Sequence, residues 1–126
     1  MNTNSKIAFA AILGAALGSA AVQGLHAQAK PKAYIVTESE IVDAAAAAAY
    51  SPRNQAAQKA AGGTSFRTTG KITAVVGTAP KRVGLSEWPS ADAAQAWLTS
   101  QQRKDLTAER DKAIKIVRQF IVEAAN

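Results

Sequence analysis

Apolar and polar positions divide the chain into one long apolar run and a series of short patterned segments. The run, Ile7 to Leu25, is rich in Ala, Gly and Leu. Beyond it, Ala33 to Val42 alternates with period two. Tyr34, Val36, Glu38 and Glu40 fall on one face and Ile35, Thr37, Ser39 and Ile41 on the other, which predicts a strand. Asp43 is a good N-cap for the six alanines and Tyr50 that follow as a helix. Ser51-Pro52 interrupts that pattern, as a kink or as the start of a second helical piece capped by Ser51. The helical pattern resumes through Gln55 to Ala61 and stops at Gly62-Gly63, which suit a left-handed C-cap.

Six further segments follow. Thr64 to Thr69 predicts a second strand, and Lys71 to Val76 a further strand or an irregular hairpin arm ended by Gly77 to Pro80. Arg82 to Trp88 predicts a short strand closed by Pro89. Ser90 then caps a helix over Ala91 to Thr99, with Asp92 in its favourable first turn. A second helical piece is expected from Gln102 to Ile114, and Ile116 to Glu123 is β-branched and aromatic enough for a last strand.

Strand, helix, strand, strand, helix, strand is the order of a split βαβ unit. The expected fold is therefore α+β and ferredoxin-like, a four-stranded antiparallel sheet with helices on one face. The other face, carrying Tyr34, Val36, Val83 and Leu85, is too apolar to stay wet. A second copy should cover it, giving a homodimer whose two sheets face each other as a dimeric α/β barrel.

The apolar run changes the picture of where this domain works. A polar start with Lys6, the run itself and Ala27-Gln28-Ala29 form the three parts of a secretory signal peptide. The expected organisation is a signal peptide over 1–29, cleaved after Ala29 or alternatively Ala27, and one domain over 30–126. Gly14, Gly18, Ser19, Gln23 and Gly24 dilute the run too much for a membrane anchor, so no stable insertion is expected once it is removed. Neither a lipoprotein cysteine nor twin arginines are present. The domain is expected in the periplasm or secreted.

Ninety-seven residues then remain, with fourteen of the fifteen Lys and Arg and all nine Asp and Glu, for a charge of +5. The cations are scattered and few aromatics lie among them, so solubility rather than nucleic-acid binding is the reading of that charge. With no cysteine, stability must come from apolar burial within one chain or between two. The single histidine, His26, lies in the segment expected to be removed. That excludes Ser-His-Asp and Cys-His nucleophilic sites, histidine-ligated haem and ordinary zinc sites from the domain. Nine dispersed acids do not make a carboxylate metal site, and Gly62-Gly63 end a helix rather than open a phosphate loop. No cofactor and no metal are implied.

A set of spaced residues carries a resemblance. It comprises Ala33-Tyr34, Glu38 and Glu40 in the first strand, then Asp43, Tyr50 and Gly62-Gly63. Arg82, Leu85-Ser86-Glu87-Trp88-Pro89-Ser90, Ala93-Ala94, Trp97, Ser100 and Arg110 complete it. With these, Tyr34 to Glu123 resembles the small bacterial proteins called domain of unknown function 1330, of the dimeric α/β-barrel folds. The chain departs from that pattern at Thr64, where a basic residue is usual, and in the segment after Trp97. The resemblance implies a fold and a dimeric assembly and brings no function with it.

Candidate chemistry rests on five residues. Glu38 and Glu87 lie in phase with Val36, Val83 and Leu85 on adjacent strands. In a low-dielectric lumen one of them should have a raised pKa and serve as a general acid or base. The plainer reading pairs them with Arg67, Arg82 or Arg118 at strand ends. Tyr34 and Trp97, with Tyr50 and Trp88, line a pocket for a flat ligand or simply fill the core. Arg110 holds an anionic ligand near the barrel mouth or an ion pair with Glu109 or Asp111. The resulting expectation is a small-molecule binder with its site between sheet and helices. The alternatives are a cofactor-free enzyme of monooxygenase or isomerase type with a glutamate base, and a structural or stress-related protein without a ligand.

Overall fold

A computed structural model describes residues 29–125 of the chain. The signal-peptide expectation covers residues 1–29, of which 1–28 lie outside the described residues. From Ala33 the elements run β1 (Ala33–Ile41), α1 (Ala44–Ala60), β2 (Thr64–Ser65), β3 (Arg82–Trp88), α2 (Ala91–Thr99), α3 (Gln101–Asp105), α4 (Thr107–Ala113) and β4 (Ile114–Glu123). The strands form one antiparallel sheet in the order β2-β3-β1-β4. This is the expected α+β arrangement, with the helices packed on one face.

Local chemistry sets the element ends. The Asp43 carboxylate accepts the Ala46 N–H at 2.7 Å, and the Ser90 hydroxyl accepts that of Ala93 at 3.2 Å. At the C-terminus of α1, Gly62 takes a φ of +96°. Its N–H bonds to Lys59 O and that of Gly63 to Gln58 O, a Schellman closure that satisfies two terminal carbonyls.

Four expectations need correction. Helix α1 is continuous through Pro52 rather than two pieces. Strand β2 is two residues long, because after Phe66 donates to Leu85 O the chain leaves the sheet. Lys71 to Val76 forms no strand: no neighbouring segment offers it a ladder, and Val75 and Val76 are 92 % exposed. Finally, the helical piece after Ser100 is two short helices joined at Leu106, whose side chain is buried, and β4 begins at Ile114.

The interior between sheet and helices has two apolar clusters. One joins Ala33, Ile35 and Trp88 of the sheet to Ala94 and Trp97 of α2. The other joins Ala47 and Tyr50 of α1 to Leu106, Ala113 and Ile114. A β-bulge between Glu38 and Ser39 on β1 skips Val117 of β4 and reverses the facing of β4 at that point. Ile114 and Ile116 before it, and Gln119 and Ile121 after it, therefore all face the helices.

Candidate functional site

The helix-free face of the sheet is built from three cross-strand ranks: Val122, Tyr34, Glu87 and Thr64; Phe120, Val36 and Leu85; and Arg118, Glu38 and Val83. Phe66, Leu85, Phe120 and Val122 are exposed on it. As expected, Glu38 and Glu87 share this face. The register nevertheless sets them apart, Tyr34 being paired with Glu87 and Glu38 with Val83. Four strand residues separate them, about 13 Å. Each is engaged locally: the Arg118 guanidinium grips Glu38 through two bonds of 2.8 and 2.9 Å. Lys32 Nζ donates to Glu87 at 2.7 Å, and the Tyr34 hydroxyl donates to its other oxygen at 3.1 Å.

The expected upward shift is absent at Glu87. The hydrogen bond from Lys32 holds its carboxyl below the usual range, ahead of the opposing effect of burial. Stability from that pairing is present above the ordinary carboxylate pKa and is lost as pH falls through the lowered one. Its partner Lys32 is shifted upward by the same bond.

Trp97 and Arg110 lie on the other side of the sheet. Trp97 is buried and stacks on Trp88 at 5.9 Å between ring centres, so the two indoles and Tyr50 belong to the core while Tyr34 does not. Arg110, on α4, bonds to Asp111 through Nε at 3.0 Å and Nη2 at 2.9 Å. It lines an open cleft of about 360 Å³ with Asp111, Ile114, Lys115 and Ile116. The five candidate residues thus fall in three places: Tyr34, Glu38 and Glu87 on the open face, Trp97 in the core, and Arg110 at this cleft.

A polar seam that the sequence reading missed runs between the two apolar clusters. Its floor is the rank Gly84, Thr37 and Gln119. Arg103 of α3 donates through Nη2 to Gln119 Oε1 at 2.8 Å, and Gln119 Nε2 donates to Thr37 Oγ1 at 2.8 Å. Arg103 Nη1 also reaches Leu98 O at 3.3 Å. Burial, and then the nearby charge of Arg110, lower the pKa of Arg103. Burial raises that of the Tyr50 phenol, against the pull of Arg110, Arg103 and Arg82. Tyr50 packs in one cluster with Ile114 and against Ile116, which line the cleft. Arg103 of the seam and Arg110 of the cleft thus both act electrostatically on Tyr50. A polar residue at an inward strand position, Thr37 between Ile35 and Ser39, is the one local sign of this seam.

A family model described as a domain of unknown function (DUF1330) matches residues 32–125. None of the curated proteins matches the chain. Among solved structures, a protein of unknown function from Rhodopseudomonas palustris is similar at a TM-score of 0.61 and 13 % identity, over 86 % of this chain and 93 % of that one. Its methylated form is similar at 0.60 and 13 % identity, over 86 % and 91 %. At such identity the likeness is one of fold. No helix among the described residues is long and apolar enough to cross a membrane.

Proposed function

The chain belongs to the DUF1330 family, and on that premise we propose that it is an exported homodimer that binds a small molecule between its sheet and its helices. The observation that carries this reading is the polar seam. Holding Arg103, Gln119 and Thr37 half-buried between two apolar clusters costs stability relative to an apolar core. The charges of Arg103 in the seam and of Arg110 at the cleft both act on Tyr50, which supports reading seam and cleft as one region. Gly84 has only Thr37 within 4 Å of where a Cβ would stand, which keeps the floor of the seam low.

Dimerisation is supported by the exposed apolar side chains of the helix-free face, and export by the apolar run ending in Ala27-Gln28-Ala29. The cofactor-free enzyme is the weaker alternative, because the carboxylates of Glu87 and Glu38 are engaged in ion pairs with Lys32 and Arg118. Native mass spectrometry of protein taken from the periplasm tests the whole reading. The expected result is twice the mass of a processed chain, plus a small retained molecule that leaves on collisional heating. An unprocessed or monomeric chain without any adduct would overturn it.

A further inference from the structure

The helix-free face holds Phe66, Leu85, Phe120 and Val122, but other large apolar side chains are exposed away from it: Ile41, Val42, Ile72, Val75 and Val76. These belong to one end of the sheet. Strand β1 stops there at Ile41, and the Val42 N–H bonds to Ala113 O just before β4 begins. After Phe66 the chain runs antiparallel to β3 toward the same end, where β3 starts at Arg82 opposite Ser39. Lys81 Nζ meets Glu40 at 3.2 Å and fixes the returning limb. Between these two anchors every residue from 66 to 78 is exposed. Val75 and Val76, each 92 % exposed, stand just before a turn at Gly77 with a φ of +71°.

The second observation is charge. From Ala44 to Ser86 the sequence has six Lys and Arg and no Asp or Glu. The exposed segment itself carries Arg67 and Lys71, whose side chains make no hydrogen bond or ion pair among the described residues. At the sheet end Arg82 and Lys115 are likewise without a carboxylate partner among those residues. The carboxylates there are already engaged: Glu40 pairs with Lys81, Asp43 caps α1, and Asp111 pairs with Arg110. Projecting aliphatic side chains are thus set among cations that the fold leaves unbalanced.

We propose that this end of the molecule docks on an anionic lipid bilayer, with Val75 and Val76 entering the headgroup boundary and Arg67, Lys71, Arg82 and Lys115 attracted to the lipid phosphates. The combination is the one peripheral attachment needs, since a few aliphatic side chains hold a bilayer only weakly and cations near an anionic surface add to them. A protein partner fits less well. Residues 66–81 contain neither Tyr nor Trp, the usual anchors of protein interfaces, and present no ladder or groove to dock against. A fluid bilayer asks for no such shape complementarity. The attachment lies on the membrane rather than across it, and it leaves the helix-free face and the polar seam uncovered.

Co-sedimentation of the purified protein with vesicles tests the assignment, comparing phosphatidylcholine alone with phosphatidylcholine containing about 30 % phosphatidylglycerol. Binding should be at least about tenfold tighter to the anionic vesicles and should weaken as salt is raised. Val75→Ser combined with Val76→Ser, and separately Arg67→Gln combined with Lys71→Gln, should each weaken it about tenfold. These side chains are exposed, so Tm should not move in either variant. Because the chain has no cysteine, Val76→Cys can carry a single environment-sensitive dye, whose emission should shift to the blue on the anionic vesicles only. Equal binding to both vesicle types, or binding that ignores both double variants, would be attachment through the apolar run Ile7 to Leu25 and would overturn the proposal. So would a lack of binding to either. A blue-shifted dye without vesicles, together with loss of dimer in the valine variant, would assign the surface to a second copy instead.

Discussion

A methyl group added at Gly63 would stand 2.5 Å from Cζ2 of Trp88 and within 2.7 Å of two further ring atoms. Trp88 has little freedom to yield. It is 1 % exposed, its Nε1 donates to Ser86 Oγ at 2.9 Å, and its ring stacks on Trp97. Gly63 is therefore required by close approach, while its neighbour Gly62 is required by its positive φ. Gly63→Ala should destabilise the domain by about 2 kcal/mol, a fall in Tm on the order of 10 °C. Gly84→Ala is the control: the nearest atom to the added methyl is Thr37 Cβ at 3.8 Å, an ordinary contact, so thermal unfolding should barely move. Equal effects at the two glycines would show that the indole is not held as described.

Helix α1 carries a proline at an exposed interior position, where the Ala48 carbonyl loses its usual N–H partner. Against alanine, an interior proline costs roughly 3 kcal/mol, and its restriction of the unfolded chain returns about 0.4–1 kcal/mol. Pro52→Ala should thus stabilise by about 2 kcal/mol, read as a raised urea midpoint at constant slope. A lowered midpoint would mean that the packing of α1 on α4 depends on a bend at Pro52. Elements bounded by strong local signals were legible in the sequence. Pro89 and Ser90 mark the end of β3 and the start of α2 to the residue. Elements that depend on partners were not. Lys71 to Val76 has strand composition but no strand to pair with, and the bulge at Val117 breaks the period-two pattern from which the start of β4 would be read. The candidate site was legible by halves. Alternation placed Glu38 and Glu87 on one face, but only the β1–β3 register sets the distance between them. The seam arises where Thr37, Gln119 and Arg103 meet from three elements, 82 residues apart at the extremes, and no local pattern encodes that meeting.

At the scale of the whole molecule, the two faces of the sheet have opposite economies. The helix face buries Ile35, Trp88 and Trp97, while the other leaves Phe66, Leu85, Phe120 and Val122 exposed around Tyr34 and Val36. A contiguous apolar patch rimmed by charge is the mark of an interface. Here the Lys32–Glu87 and Arg118–Glu38 pairs stand at opposite ends of the patch. A two-fold axis through the patch would bring each copy's apolar rank of Phe120, Val36 and Leu85 onto its mate, with the charged ends fixing the register. Because these side chains are exposed in one chain, Phe120→Asp combined with Leu85→Asp should leave the folded chain intact and abolish pairing. Sedimentation should find dimer for the unaltered protein at micromolar concentration and folded monomer for the double variant. The unaltered protein alone should show a Tm that rises with concentration, since association stabilises only the folded state. A folded monomer at every concentration, with Tm unaffected by dilution, would leave the helix-free face without a second copy, while the seam on the opposite side of the sheet would keep its geometry and its own test.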